Sequence, residues 1–274
     1  MGVAIDTIGT FVTAGATNAT SLKTVTVSGG DSLQIRSFPA TNWAKLEHMI
    51  YQGVAKGKNR VMSPLMHDNV TGLTFASADT DSYYLMSRYS MQMVYPTDTL
   101  AAFSSAAAGA SGILALAVYY QNLPSSGARL ANYSDISAVI KNIKGLEVDC
   151  TSSGTIGTWS DTVLNTTDKQ LHANTDYAVL GYDCDAAVAV VGVKGNETGN
   201  LRVCGPGPAT SFSTPDFFCQ MSQITGQPHI PVFNSNNQGA YYVSCLANAA
   251  SVASKVYLIL AELSSARGTV APSS

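Results

Sequence analysis

An internal repeat constrains this chain more than any other feature, because a segment present twice predicts a unit built twice. The octapeptide GKNRVMSP (57–64) recurs as GNLRVCGP (199–206), which sets Arg60 against Arg202 and Pro64 against Pro206. Two more matches lie at nearly the same offset of about 142 residues: KLEHMIYQG (45–53) faces AVAVVGVKG (187–195), and ASGILALAVYY (110–120) faces ASKVYLILAEL (253–263). An Ala/Ser-rich stretch precedes each member of the last pair, LAAFSSAAAG in one half and SCLANAAS in the other. Three colinear matches predict a tandem duplication, with Arg60 and Arg202 at equivalent places in two superposable halves.

The local texture of both halves is that of β-structure. LKTVTV (22–27), SLQIRSF (32–38), YAVLGY (177–182) and KVYLILAEL (255–263) are short, rich in β-branched and aromatic residues, and bounded by Gly, Asn, Asp and Pro. Those boundary residues supply turn dihedrals. TNWAKLEHMIYQ reads as a strand because its repeat partner does. Helices are expected at NYSDISAVIKNI (132–143), with Ser134 or Asp135 as cap, and after Pro215, with Thr214 as cap and proline in the first turn. LPSSGA (123–128) reads as the linker between halves. Short strands without βαβ alternation predict an all-β chain of two tandem β-sandwiches of jelly-roll type, a double jelly roll with one or two short helices. The expected boundaries are an N-terminal arm over 1–20, a first roll over 21–123, a linker with a short helix over 124–145, a second roll over 146–265 and a tail over 266–274.

Composition then narrows function. Only 12% of the 274 residues are charged, against about 25% in an ordinary globular chain. Fifteen Lys and Arg spread along the chain provide no basic patch of the kind phosphate neutralisation needs. With 46% hydrophobic residues and a net charge of −3, the chain is also unlike a disordered one. The opening residues lack the basic and uninterrupted apolar regions of a secretory signal. The longest apolar runs, near 113–120 and 256–263, are far too short to span a bilayer.

The residues that usually carry chemistry form no motif. His48, His67, His172 and His229 sit in no H-E-x-x-H pair, no G-x-S-x-G elbow occurs, and GNETGNLRVCGPG matches neither a P-loop nor a dinucleotide fingerprint. Cys150, Cys184, Cys204, Cys219 and Cys245 have no C-x-x-C spacing and read as small buried hydrophobes, with a single disulfide left open. Asp79 and Asp81, and again Asp183 and Asp185, alternate in loops as Ca²⁺ ligands do, yet solvated turn aspartates explain them better. Sequons at Asn18, Asn69, Asn132, Asn165 and Asn196 follow from a composition rich in Asn, Ser and Thr. No catalytic, cofactor-binding or metal residue is predicted.

Two β-sandwich repeats over residues 20–265, in a short chain with no active-site motif, resemble the double-jelly-roll major capsid proteins of tailless, often membrane-containing viruses and bacteriophages. The resemblance implies a non-enzymatic virion protein that assembles in the host cytoplasm. Three copies of such a subunit form a pseudo-hexagonal capsomer, and capsomers tile an icosahedral shell with other virion proteins, often over an internal membrane. It carries over no site residue. A surface poor in charge suits that role, since buried interfaces disfavour Lys, Glu and Asp. The absence of a basic arm argues against direct contact with nucleic acid. The rival reading is an extracellular adhesin or carbohydrate-binding pair of sandwiches, with Tyr83, Tyr84, Tyr119, Tyr120, Tyr241 or Tyr242 as contacts. A hydrolase on a β-scaffold is the weaker third.

Overall fold

The computed structural model describes residues 2–13, 22–24, 43–53, 57–63, 68–77, 82–86, 93–94, 101–104, 111–123, 128–164, 171–207 and 214–264; before residue 128 its side chains are those of 3–7, 9 and 112–121. Strands dominate. The first half contains β1 (Gly2–Thr13), β2 (Leu22–Thr24), β3 (Trp43–Gly53), β4 (Gly57–Ser63), β5 (Asp68–Ser77), β6 (Ser82–Met86), β7 (Met93–Val94), β8 (Ala101–Ser104) and β9 (Ser111–Leu123). The second contains β10 (Leu130–Ala131), β11 (Ile140–Thr151), β12 (Trp159–Val163), β13 (Asp176–Cys184), β14 (Val188–Gly195), β15 (Val203–Pro206), β16 (Ile230–Asn234), β17 (Tyr241–Ala247) and β18 (Ala253–Leu263). Two short helices, α1 (Tyr133–Ile136) and α2 (Phe217–Thr225), and a few 3-10 turns complete the described residues. None of these helices is long and apolar enough to cross a membrane.

Each half makes two antiparallel sheets, and the two halves are wired alike. In the first, the sheets run β1-β9-β3-β6, with β7 added beside β3, and β2-β8-β4-β5. In the second they run β11-β18-β13-β16, with β10 added beyond β16, and β12-β17-β14-β15. Setting β7 and β10 aside, the eight remaining strands of each half pair in the same sequence order.

In the second half the two sheets face each other across a core. Phe233 of β16 stacks on Tyr241 of β17 at 4.5 Å between ring centroids. The Tyr182 hydroxyl, from β13, donates across the core to the Pro206 carbonyl of β15 at 2.6 Å. β13 is buried on both faces, which explains why YAVLGY is apolar without alternation. One face meets the core and the other meets α2, where a side chain at Gly181 would collide with the backbone of Thr214 and Phe217. Phe217 and Phe218 reach Tyr182 from that helix at 6.0 and 5.7 Å.

Several expectations need correction. Wiring shows that two of the three sequence matches are one strand out of step. GKNRVMSP is β4, whose counterpart is β14, whereas GNLRVCGP contains β15; KLEHMIYQG belongs to β3, whose counterpart is β13. Arg60 lies mid-strand opposite Thr74 and Phe103, while Arg202 precedes β15, so the two are not equivalent. Only ASGILALAVYY and ASKVYLILAEL, in β9 and β18, occupy corresponding strands. The expected arm over 1–20 is instead structured through Thr13: β1 pairs along its length with β9, Asp6 opposite Val118 and Phe11 opposite Ile113. Its Gly, Ala and Thr content hid a strand with buried residues on both of its faces, Ala4 on one and Ile5 and Thr7 on the other.

The helix expected over 132–143 is a single turn. Asp135 accepts from the Asn132 N–H at 3.3 Å, so the cap is Asn132 and not Ser134 or Asp135. A 3-10 turn over Ser137–Val139 follows, the Val139 carbonyl accepts from the Ser264 N–H at 2.8 Å, and pairing with β18 then takes the β-branched Ile140 into β11. After Pro215 a helix forms, but its N-cap is Asp216 and not Thr214, because Thr214 and Pro215 belong to a separate 3-10 turn at Thr214–Asp216; the helix ends at Gly226, φ +67°. SLQIRSF, Val25 to Val27, His67, Asp79, Asp81, Asn18, Asn165 and the tail over 266–274 lie outside the described residues.

Candidate functional site

The residues singled out for chemistry are dispersed. Among the described residues no group of three or more His, Cys, Asp or Glu side chains could hold a metal ion. Asp183 accepts from the Cys184 N–H at 2.9 Å, and Asp185 from the Lys255 N–H at 2.6 Å, so both aspartates serve the β13–β14 turn. His48 lies in β3, opposite Met86 and Ala117. His229 is buried against Phe218, with ring centroids 6.1 Å apart, just before β16. All five cysteines are free and buried. Burial and neighbouring aspartates push the Cys184 and Cys219 thiols up to about 12, the wrong direction for a nucleophile. Cys150 and Cys245 contact each other between the sheets, and that contact lowers the first thiol and raises the second. Of the candidate tyrosine contacts, Tyr119, Tyr120 and Tyr241 are buried and Tyr242 is half-buried.

The structure instead assembles a joint between the halves, which sequence reading missed. β14, β15 and β17 are buried on both faces, and the outer face of their sheet meets β1 of the first half. Thr7 Oγ1 lies 3.0 Å from the Arg202 carbonyl and 2.7 Å from Cys204 Sγ, and Asp6 accepts from the Arg202 N–H at 3.2 Å. Two residues along, Gly9 lies so close to the indole of Trp159 that an added Cβ would sit 2.8 Å from its nitrogen. A side chain at that position would require Trp159 or Leu246 to shift.

Arg202 organises the charge in this joint. Its guanidinium lies over the Trp159 ring at 4.7 Å, its Nε donates to Ser244 Oγ at 3.3 Å, and its Nη2 reaches Asp161 at 3.4 Å. Ser244 in turn donates to Asp161 at 2.6 Å, and Lys194 lies 3.4 Å from the same carboxylate. Burial pushes the Asp161 carboxyl up, but the Ser244 hydrogen bond and the charges of Arg202 and Lys194 together outweigh it and hold it below its ordinary value. In a chain with only 15 basic residues, an arginine between Leu201 and Val203 was the available signal for a buried partner. A second contact joins the halves through Gln227, whose Oε1 accepts from Tyr119 at 3.1 Å and Gln121 at 3.3 Å.

At one end of the second sandwich, polar groups close the core. The Glu262 carboxylate accepts from His172 Nδ1 at 3.0 Å and lies 3.6 Å from Lys144. The Tyr177 hydroxyl accepts from the His172 N–H at 2.9 Å, and Lys144 lies over the Tyr177 ring at 4.9 Å. The hydrogen bond to His172 is the largest influence on Glu262 and, with Lys144, holds its carboxyl below the usual value against burial. Beside this cluster, Arg129 forks onto Asp176 at 2.6 and 3.2 Å, and Asn234 donates to the same carboxylate at 2.8 Å. Every charge here is spent on a partner within the fold. The arrangement suits rigid support.

No family model matches this chain, and no curated protein is significantly similar to it. Among solved structures it aligns with the VLP of the giant freshwater prawn Macrobrachium rosenbergii extra small virus at 14% identity and a TM-score of 0.26, over 45% of this chain and 82% of that one. It aligns with the PBSX exported protein XepA at 9% identity and a TM-score of 0.26, over 93% and 86% of the two chains. With the STIV MCP the values are 6% and 0.20, over 97% and 98%. TM-scores this low do not establish a shared fold, so function must be argued from strand order and surface.

Proposed function

We propose that this chain is the major subunit of a viral shell: a double jelly roll that self-assembles, as trimers of pseudo-hexagonal outline, into an icosahedral virion capsid of a tailless virus or bacteriophage. The observation that carries this reading is the repeated strand order. Numbering the eight shared strands of a half from one to eight, one sheet runs 1-8-3-6 and the other 2-7-4-5. That is the order of a jelly roll, an architecture used by capsid and lectin domains. On this reading the rolls are joined through residues 124–139, and β1 belongs to the first roll.

Fold alone does not select among the functions of jelly rolls. Two further observations favour a shell subunit over the carbohydrate-binding alternative. The joint fixes one roll against the other through buried contacts, as a building block needs, and three of the residues offered as sugar contacts, Tyr119, Tyr120 and Tyr241, are in the core. The scarcity of charge fits a surface that faces other copies. The proposed role is structural and not catalytic, with neighbouring capsomers and other virion proteins as partners; lacking a basic patch, the chain would line the outside of a membrane or inner protein layer.

Size-exclusion chromatography with light scattering, followed by negative-stain microscopy, tests this. Trimers that form lattices or closed shells are expected. A stable monomer that binds a glycan array would replace the shell reading with the lectin-like one.

A further inference from the structure

Two cysteines of the second half meet across its core. In β11 the buried residues Leu146, Val148 and Cys150 alternate with the more exposed Glu147, Asp149 and Thr151, so Cys150 faces the opposing sheet. In β17 the neighbours fix the faces: Tyr241 stacks on Phe233 of the opposing sheet, whereas Ser244 bonds Asp161 in the joint and Leu246 lies beside Gly9. Cys245 therefore shares the core face with Tyr241 and Val243. β11 packs against β12 and β17 at this corner of the sandwich, and the two thiols meet in a hydrogen bond. Both are free and buried.

The remaining cysteines do not offer this pairing. Cys184 and Cys150 flank β18, opposite Val256 and Ser254, so two strand spacings of about 4.8 Å separate them, beyond the reach of a disulfide. Cys204 meets Thr7 in the joint, and Cys219 lies in α2 and not in either sheet. The pair also has unlike members. The hydrogen bond with Cys245 is the largest influence on Cys150 and, with a second from Thr162, holds its thiol below the ordinary value against burial, which makes Cys150 the better nucleophile. Ser254 lies opposite Cys150 and Ser160 opposite Cys245. Both hydroxyls are buried with no hydrogen-bond partner among the described residues, so each can donate to an oxygen carried on the neighbouring sulfur.

We propose that Cys150 and Cys245 form a peroxide-responsive dithiol pair, which closes to a disulfide across the core of the second sandwich. Cys150 is one residue from the end of β11, next to exposed Thr151, so fraying of that end admits an oxidant as small as hydrogen peroxide. The Cys150 thiolate attacks peroxide and the O–O bond breaks. One oxygen stays on sulfur as a sulfenic acid; the other leaves as hydroxide and takes up the Cys150 proton as water. The Cys245 sulfur then attacks the Cys150 sulfur, the S–O bond breaks, and hydroxide leaves with the Cys245 proton as a second water. Two thiols are oxidised to a disulfide and one peroxide is reduced to two waters. The link ties β11, last in its sheet, to β17, which lies between β12 and β14 in the other, and closes the long stretch of chain between them. It goes beyond the shell reading and does not rest on it, because it lies within one half.

Hydrogen peroxide added to the native full chain, followed by blocking of the remaining thiols and mass mapping of peptides without reductant, tests it. The wild-type chain is expected to lose two of its five thiols and the mass of two hydrogen atoms, and to yield linked peptides containing Cys150 and Cys245. It is also expected to melt about 5 °C or more higher, and dithiothreitol to reverse each change. C150S and C245S are each expected to lose the link and the gain in melting temperature, while C184S keeps both. Circular dichroism matching the reduced wild type shows that each chain is folded before oxidation. Five thiols that survive peroxide, a link to any other cysteine, Cys150 driven to sulfinic acid without a link, or a link that forms only in urea would each overturn the proposal.

Discussion

At the scale of single residues, the joint rests on the contact between Gly9 and Trp159 and on the charges gathered by Arg202. Trp159→Ala removes both the surface against β1 and the ring under the guanidinium, and is expected to cost about 3–5 kcal/mol in urea denaturation. Gly9→Val, which leaves every partner in place but adds bulk, is expected to cost about 1–3 kcal/mol. Acid acts on the same scale. Asp161 and Glu262 are held below their ordinary values of 3.8 and 4.5, so the stability they contribute is complete above those values and is lost as pH falls through their lower folded values. The urea midpoint should therefore drop on acidification from neutral pH to about 3, and Glu262→Gln should show a shallower drop. An equal drop in both would assign the acid sensitivity elsewhere. Little of this joint was legible in the sequence. Arg202 drew notice as a repeat partner of Arg60, whereas its partners come from strands far apart in the chain, which spacing cannot bring together.

At the scale of elements, strands such as β13 and β18 were legible because YAVLGY and KVYLILAEL combine β-branched and aromatic residues with clear turn boundaries. β1 was not. GVAIDTIGTFVT mixes apolar positions with Gly and Thr and carries no turn signal, yet β9, buried along residues 112–120, needs a neighbour on that side. Deleting residues 1–13 is accordingly expected to expose the edge of β9 and the joint face of β15, giving insoluble chain or loss of the cooperative thermal transition in circular dichroism. A dispensable arm would leave melting unchanged. The repeat also slipped at this scale. Small, β-branched strands resemble one another enough that GKNRVMSP matched the neighbour of its counterpart, while hydrogen-bond partners identify strands without ambiguity.

At the scale of the whole molecule, the duplication expected from sequence survives as connectivity rather than as aligned residues. The two halves share one strand order and meet at a buried joint, in a chain of which only 12% of the residues are charged. Such a chain is suited to closed symmetric assembly. Cryo-electron microscopy of the purified full-length chain, concentrated to favour assembly, examines this most directly. The expected result is threefold capsomers showing six similar eight-stranded lobes, two from each chain, arrayed in lattices or closed shells. Particles that remain single chains at every concentration, with no threefold class, would contradict a shell-building role.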